Sequence, residues 1–418
     1  IGIRYIYIKL YFWVMIRWIL FLLFFLLLSG YAGQALRTVT PSRWLMGLYW
    51  GCCALVFISL TTQLFNIHDV QKESARNYAL GSYIILFVFQ TLVIAFLAIE
   101  DITRILRAVV AFFVPDLGPV WIGRRKFISR LALGVAALPV AGLIYGIFKG
   151  RYNYKVIRYE LTFDDLPDTF DGFQLTQISD LHCGSFDSPK RVKYGIDLVN
   201  EQQSDVILFT GDLVNNRADE LQKWQSLFGT LSAKHGVFSV LGNHDYGDYV
   251  PWQKPEDKTD NFDRLLEAQK QMGFKLLRNE HMLIEKQGQS IAIVGVENWG
   301  VGRFKKKGDL PKALSGLDDS CFKILLSHDP SHWQFKVKDE NIHIPLTLSG
   351  HTHGMQFGIE IPGKFKWSPV QWRYPYWAGM YKENNKHLNV NRGFGYLAYP
   401  GRFGIWPEIT VITLKKAV

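Results

Sequence analysis

The sequence predicts an α/β catalytic domain preceded by a helical transmembrane region. Two observations support this. The first 150 residues contain four apolar runs of near membrane-spanning length, and from about residue 152 short apolar runs alternate with amphipathic stretches. Strand–helix alternation of this kind favours stacked β-sheets flanked by helices. We therefore expect the 418-residue chain to divide into a membrane region, 1–150, and a catalytic domain, 151–418.

The four apolar runs lie at about 10–29, 44–65, 79–99 and 128–148. Each approaches the roughly 20 residues that a helix needs to cross the hydrocarbon layer. A core helix of a soluble domain rarely stays apolar on every face for so long. We expect four spanning helices and a multi-pass protein of the cell membrane.

Basic residues indicate the orientation. Arg124, Arg125 and Lys126 precede the fourth run. They form either a twin-arginine export signal or the cytoplasmic flank of an ordinary spanning helix. Both interpretations put the basic side in the cytoplasm and the catalytic domain outside it. Because no clear small-x-small cleavage site follows the run, we expect permanent anchoring.

Six apolar runs in the second region predict buried strands, at 173–179, 205–210, 236–241, 290–296, 322–327 and 344–349. Segments 190–201, 219–231 and 263–272 predict helices between them. Five polar motifs lie at or just beyond strand ends: ISDLH at 178–182, TGD at 210–212, GNHD at 242–245, SHD at 327–329 and GHTHG at 350–354. Functional residues collect at such ends, so we expect one site there.

These motifs hold the residue types that a site for two divalent metals needs. In Asp180-Leu181-His182, alternate residues of an extended segment point to one side, so carboxylate and imidazole converge. A mixed set of imidazoles and carboxylates favours Mn, Fe, Co or Zn. Two such ions about 4 Å apart can produce hydroxide near neutral pH and clamp a phosphoryl group. A single motif would more often be a turn or a packed histidine, so the inference depends on the whole set.

The motifs, in this order, resemble those of the calcineurin-like metallophosphoesterase family: D-x-H, G-D, G-N-H-[DE], a lone His and G-H-x-H. The resemblance covers about 158–418 and implies a four-layer α-β-β-α sandwich. It implies one metal held by Asp180, His182, Asp212 and His353, and a second held by Asp212, Asn243, His328 and His351. His244 would steady the phosphate or protonate the leaving oxygen, and Asp245 would orient His244 or its loop.

The C-terminal stretch 379–414 resembles a membrane-associated bacterial branch of that family. The branch includes phosphodiesterases and hydrolases of the lipid precursor UDP-diacylglucosamine. The matching positions are Arg392, Gly393, Gly395, Arg402, Pro407 and Glu408. Met355 departs from the pattern because it replaces the usual second glycine after GHTHG, and we expect it to reshape the rim of the metal site.

We therefore expect a membrane-anchored phosphohydrolase that uses two divalent metals (Mn, Fe or Zn). A hydroxide bridging the metals would attack a phosphoester, which we expect to be a phosphodiester, while Asn243 holds the phosphoryl oxygens and His244 assists the leaving group. One alternative is a pyrophosphatase acting on a nucleotide-linked lipid precursor such as UDP-diacylglucosamine. Another is a membrane binding or transport module with a regulatory phosphoesterase domain. The complete ligand set argues against a degenerate, metal-free fold.

The expected partners are a phosphorylated small-molecule or lipid substrate and the membrane. A formal net charge of +10 fits both, and without a nucleic-acid motif we do not expect nucleic acid. Six aromatic residues crowd the stretch after GHTHG: Phe365, Trp367, Trp372, Tyr374, Tyr376 and Trp377. They either pack under a long loop or form a rim that touches the membrane interface.

Overall fold

The computed structural model describes residues 2–65, 73–114, 123–361 and 364–417, with side chains of the first helix described from residue 16 onward. The chain forms two compact units, 1–144 and 145–418.

Four apolar helices occupy the N-terminal part: α1 Gly2–Val39, α2 Arg43–Phe65, α3 Glu73–Phe113 and α4 Arg124–Phe148. Each contains a segment long and apolar enough to cross a membrane, at Ile16–Val39, Arg43–Phe65, Ser74–Phe113 and Arg124–Phe148. The predicted helical region is confirmed, although α1 and α3 extend well beyond their apolar runs.

Polar side chains join these helices at two places. Buried Gln90 of α3 donates to the Ser29 hydroxyl of α1 at 2.9 Å. At the start of α4, Arg124 and Arg125 pair with the buried carboxylate of Glu100, at 3.0 and 2.5 Å. Since charged groups in apolar surroundings need partners, this ion-pair cluster gives the two arginines a role within the helical unit.

The catalytic unit contains two six-stranded mixed sheets. The strands are β1 Lys155–Phe163, β2 Gln174–Ile178, β3 Val206–Phe209, β4 Val237–Ser239, β5 Phe274–Leu276, β6 Glu280–Lys286, β7 Gln289–Gly295, β8 Phe322–Leu326, β9 Leu346–Ser349, β10 Ile359–Ile361, β11 Phe365–Trp367, β12 Gly379–Glu383, β13 Lys386–Val390 and β14 Glu408–Lys416. One sheet has the order β1-β14-β2-β3-β4-β5 and the other β12-β13-β9-β8-β7-β6, while β10 and β11 form a separate antiparallel ribbon.

Helices cover the outer faces of both sheets. They are α5 Pro189–Asn200, α6 Gln225–Phe228, α7 Pro255–Gln271, α8 Leu310–Leu314 and α9 Pro330–Lys336. A central core, including Leu208, Phe238 and Ile293, joins residues of the two sheets. Two further cores join one sheet to α5, α6 and α7 and the other to α8 and α9. The predicted four-layer α-β-β-α sandwich is confirmed.

Most of the predicted elements are present, and two helices differ. All six predicted strands are found, as β2, β3, β4, β7, β8 and β9. Segment 219–231 is mainly a 3-10 segment, Ala218–Lys223, followed by the single turn of α6. Helix α7 begins at Pro255 rather than 263, because a proline at the first turn and the Asp257 carboxylate, which accepts from the Lys254 backbone N–H at 3.0 Å, start it earlier.

Candidate metal centre

Parallel strand pairing brings the polar motifs to one edge of the sandwich. β2, β3 and β4 run parallel in the first sheet, and β8 and β9 run parallel in the second. Asp180, Asp212 and Asn243 follow strands of the first sheet, whereas His328 and His351 follow strands of the second. All seven sequence-predicted metal ligands meet there, in two overlapping groups.

The first group contains Asp180, His182 and His353. Their possible ligand atoms lie within 4.8 Å of one another, and His353 Nε2 is 3.2 Å from Asp180 Oδ1. Among the described residues, neither ring nitrogen of the fully buried His182 has a hydrogen-bond partner. Because a buried imidazole without partners is unfavourable, these nitrogens point to a ligand that the protein itself does not supply.

The second group contains Asp212, His328 and His351, whose possible ligand atoms also lie within 4.8 Å of one another. Asn243 joins this group through its side-chain oxygen, which is 3.1 Å from His328 Nε2 and 2.8 Å from His351 Nδ1. Four donors from four separate loops therefore face a common point.

Asp212 lies between the groups. Its Oδ2 is 3.1 Å from His328 Nε2 in the second group and 3.5 Å from His182 Nε2 in the first. One carboxylate can therefore serve both groups, as expected for a bridging ligand.

Contacts behind the imidazoles fix their orientation. His328 Nδ1 donates to the Thr210 carbonyl at 2.8 Å, which leaves Nε2 facing Asp212. The Tyr374 hydroxyl lies 2.8 Å from His351 Nε2 and is within 3.5 Å of the Asp329 carboxylate, so Nδ1 of His351 faces Asn243. Such outer contacts select one ring nitrogen for coordination. The motifs gave Tyr374 and Asp329 no role in this site.

The charges of the site favour the binding of cations. Burial alone raises the pKa of both carboxyls, yet neighbouring histidines hold the pKa of Asp180 and Asp212 below its ordinary range. Burial lowers the pKa of His328, but the Asp212 carboxylate outweighs it and raises that pKa to about 10. Burial lowers the pKa of His182, which keeps that ring neutral. The proton that Asp212 holds on His328 occupies a position that a bound cation would take instead, and carboxylates beside imidazoles are a donor set that fits divalent metals.

The backbone is strained at five of the seven expected ligands. The φ angles are 52° at Asp180, 44° at His182, 58° at Asp212, 73° at His351 and 50° at His353. Left-handed backbone costs a non-glycine residue about 1–2 kcal/mol. Close packing adds to this constraint, since a Cβ on Gly350 would lie 2.2 Å from Asp180 Oδ2. Strain gathered at one place in this way marks a functional site.

His244 and Asp245 act on different parts of the centre. The His244 ring lies 4.9 Å from the His182 ring, and its Nδ1 donates to the Asn215 carbonyl at 2.7 Å. The Asp245 carboxylate accepts from the backbone N–H groups of Asp212, Leu213 and Gly242 at 2.8–3.0 Å. Of the two roles predicted for Asp245, these contacts support the organisation of the loop rather than of the His244 ring.

Tyr249 is a further residue at the site. Its hydroxyl accepts from Asn243 Nδ2 at 2.9 Å, and its ring lies 4.6 Å from the His244 ring. This contact turns the Asn243 oxygen toward the histidines. The residue lies outside every motif, so no sequence pattern indicated its position at the site.

A two-sheet α/β sandwich with a shared carboxylate between two histidine groups defines the class of metallophosphoesterases. The family model "Calcineurin-like phosphoesterase" matches residues 173–355. A second model, "Probable Calcineurin-like phosphoesterase, transmembrane domain", matches residues 16–151.

Relatives agree with these matches. The uncharacterized metallophosphoesterase YkuE of Bacillus subtilis (strain 168) is 34% identical over 70% of this chain and 98% of its own length. The "Transmembrane protein with metallophosphoesterase domain" of Danio rerio is 28% identical over 66% of this chain and 60% of its own length. The phosphodiesterase YaeI of Escherichia coli (strain K12) is 26% identical over 70% of this chain and 99% of its own length.

The chain belongs to the calcineurin-like metallophosphoesterase family. It is a metal-dependent phosphoesterase with a transmembrane domain of four apolar helices.

Proposed function

We propose that this protein is a membrane-anchored phosphohydrolase that uses two divalent metals to hydrolyse a phosphodiester. The observation that carries the proposal is the position of Asp212, whose Oδ2 faces histidines of both ligand groups. The printed name of the E. coli relative, a phosphodiesterase, supports the diester preference.

The ligand assignment follows from the two groups. Asp180, His182, Asp212 and His353 would hold one ion, and Asp212, Asn243, His328 and His351 would hold the other. When bound, such ions acidify a water molecule and neutralise the phosphoryl oxygens, and this donor set favours Mn, Fe or Zn.

His244 would assist the leaving group. Its Nδ1 hydrogen is held by the Asn215 carbonyl, so Nε2 is the nitrogen that can give a proton to the departing oxygen. The Asp212 carboxylate accepts from the His244 backbone N–H at 2.8 Å, which ties this histidine to the metal ligands. Asn243, with its amide donating to Tyr249, would keep its oxygen toward the second ion.

We further propose that residues 1–150 form the multi-pass membrane region, that 151–418 form the catalytic domain, and that this domain is extracytoplasmic. Support comes from Arg124 and Arg125 at the beginning of α4, since the basic end of a spanning helix usually faces the cytoplasm.

The experiment is hydrolysis of bis-p-nitrophenyl phosphate by the full chain, stripped of metal by a chelator and reloaded with Mn, Fe or Zn. We expect metal-dependent turnover. Asp212→Asn should lower it on the order of 100-fold or more, and His244→Ala by about 10²–10⁴-fold.

His343→Ala is the matched control, because His343 is exposed and contacts Asp165 outside the centre. It should leave turnover unchanged. Turnover without metal, or turnover that survives Asp212→Asn, would contradict the proposal. Faster cleavage of UDP-diacylglucosamine than of the diester would favour the pyrophosphatase alternative.

A further inference from the structure

The β10–β11 ribbon presents an apolar surface to solvent. Ile359 pairs with Trp367, and Ile361 pairs with Phe365, so all four side chains lie on one side. Ile359, Ile361 and Phe365 are each 51–53% exposed. We call these four residues the apolar ribbon face.

The opposite side of the ribbon is held firmly by polar contacts. Glu360 accepts from Arg392 Nε at 3.0 Å, and Arg392 also pairs with buried Glu408 of β14. Lys366 donates to the Ala378 carbonyl and to the Tyr381 hydroxyl. The exposure of the apolar ribbon face is therefore fixed by the fold.

Two neighbouring residues enlarge the surface. Trp372 is 78% exposed, and its ring lies 6.4 Å from the ring of Trp367. Met355 is 59% exposed, and the preceding Gly354 carbonyl accepts from the hydroxyl of Ser368, the residue after Trp367, at 2.8 Å. A single exposed apolar residue needs no explanation, but a contiguous group of this kind marks an interaction surface.

This surface adjoins the point where the chain leaves its last apolar helix. The Gly358 backbone N–H donates to the Phe403 carbonyl at 3.0 Å, and the adjacent Arg402 backbone N–H donates to the Gly146 carbonyl of α4 at 3.2 Å. The Tyr145 ring lies 6.1 Å from the Trp406 ring. One short segment, 402–406, therefore contacts both the residue that precedes β10 and the final turn of α4.

The same surface borders the candidate metal centre. His353 precedes Ile359 by six residues, a span of at most about 20 Å of extended chain. Tyr374, two residues after Trp372, contacts His351 directly. Tyr374 and Trp377 are buried, so these two members of the predicted aromatic rim pack inside, whereas Phe365 and Trp372 are exposed.

We propose that the apolar ribbon face, with Trp372 and Met355, lies in the interfacial layer of the lipid bilayer and brings the metal centre to phosphodiester lipids. Tryptophan and other amphipathic aromatic residues favour this layer, and exposed Lys364 and Arg373 beside them suit anionic headgroups. The substrate class rests on the phosphohydrolase function proposed above, but the docking surface does not.

Depth in the bilayer tests the docking surface without reference to activity. The full chain, with Cys52→Ser and Cys321→Ser as background, is reconstituted in nanodiscs of phosphatidylcholine and phosphatidylglycerol. A nitroxide is attached at Ile361→Cys or Trp372→Cys, and its collisions with oxygen and with a water-soluble nickel chelate are measured. We expect both labels to favour oxygen.

Phe335→Cys is the matched control, because Phe335 is an exposed apolar residue of α9 outside this surface. Its label should favour the nickel chelate. If the labels at 361 and 372 are as accessible to nickel as the label at 335, the docking surface is wrong, whatever the enzyme hydrolyses.

Kinetics test the substrate class. In Ile361→Glu/Phe365→Glu, hydrolysis of phosphatidyl-p-nitrophenol in nanodiscs should fall at least ten-fold, while hydrolysis of bis-p-nitrophenyl phosphate stays within two-fold of wild type. If the double variant changes the hydrolysis of both substrates by the same factor, the proposal that this surface brings lipid substrates to the metal centre is wrong. Loss of both activities in the unaltered chain would instead contradict the proposed function and leave the depth measurement decisive for the surface.

Discussion

His351 shows what the metal centre requires of a single residue. Its backbone φ of 73° is costly for any residue with a Cβ, yet its ring faces Asn243 on one side and Tyr374 on the other. The chain accepts this strain because the turn after β9 must deliver two imidazoles within three residues. Asp180, His182 and Asp212 also have positive φ angles, and each follows the end of a strand of the first sheet.

Strain at His351 predicts an unusual order of stabilities. Both His351→Gly and His351→Ala remove the ring, but only glycine adopts this φ freely. Without metal, the free energy of unfolding of the glycine variant should therefore exceed that of the alanine variant by about 1 kcal/mol. This difference corresponds to an unfolding midpoint of the catalytic domain about 2–4 °C higher. Near-UV circular dichroism of the full chain in detergent measures this. If the alanine variant unfolds at the same or a higher temperature than the glycine variant, the backbone at 351 is not strained.

Tyr249 should act through Asn243. Tyr249→Phe removes the acceptor that fixes the Asn243 amide, so affinity for the second divalent ion should fall about ten-fold while the first is unaffected. Titration calorimetry with Mn on metal-free protein separates the two. Tyr194→Phe, at another exposed tyrosine, is the control, and equal affinities in both variants would rule out this positioning role.

The sequence predicted the residues of the site whose side chains are the expected metal ligands, but not the groups that orient them. The seven expected ligands stand in short motifs because each strand end delivers its donors directly. The Thr210 and Asn215 carbonyls left no such sign, since every residue has one. Tyr249 and Tyr374 lie on loops that fold back to the centre, and the path of a loop cannot be predicted from the spacing of residues in the sequence.

At the scale of elements, α9 joins the centre to the second sheet. It begins at Pro330, two residues after His328, and Asp329 caps it by accepting from the Ser331 backbone N–H at 2.8 Å. His332 in its first turn is buried against the Trp299 ring, and its Nδ1 is 2.9 Å from the Ser327 hydroxyl. The helix thus places an uncharged histidine close behind the metal ligands.

This histidine predicts a loss of stability in acid. Burial lowers the pKa of His332 from 6.5 to about 4, so the unfolded chain takes up the proton first. The stabilisation is complete above pH 6.5 and is lost as the pH falls toward 4, by at most about 3 kcal/mol. His332→Gln should show a smaller decrease in unfolding midpoint between pH 7 and 4.5. Parallel decreases in both proteins would contradict the assignment.

Sequence patterns revealed the buried strands but not the edges of the sheets. β3 is a continuous apolar run, and β8 is apolar apart from Lys323, so both could be recognised alone. β1 pairs in parallel with β14, which lies at the other end of the catalytic domain's sequence, so neither strand is recognisable without its distant partner. β10 and β11 have three residues each, too few to show an alternating pattern. α7 was predicted too short because its first turns are polar and face solvent.

At the scale of the whole molecule, the two arginines at the start of α4 bear on whether this helix is an export signal or a permanent membrane anchor. Their pairing with Glu100 gives them a structural role that an export signal would not need. This favours a permanently anchored helix, in which the positive charges beside Glu100 are required.

Arg124→Lys/Arg125→Lys tests this role, since lysine keeps the ion pairs but not a twin-arginine signal. We expect full-length protein in the membrane fraction at the wild-type level, with the protease accessibility of the catalytic domain the same as in wild type. Arg37→Lys is the control for loss of an arginine elsewhere. Cytoplasmic retention of the catalytic domain in the double variant alone would support the export signal instead.

The left-handed residues also bear on how such a protein changes over generations. At five positions, glycine would relax the chain and remove an expected metal ligand in the same step. A lineage no longer selected for turnover would gain stability by accepting that exchange. Glycine at 180, 182, 212, 351 or 353 in a homologous chain should therefore identify a descendant that has kept the fold and abandoned the chemistry.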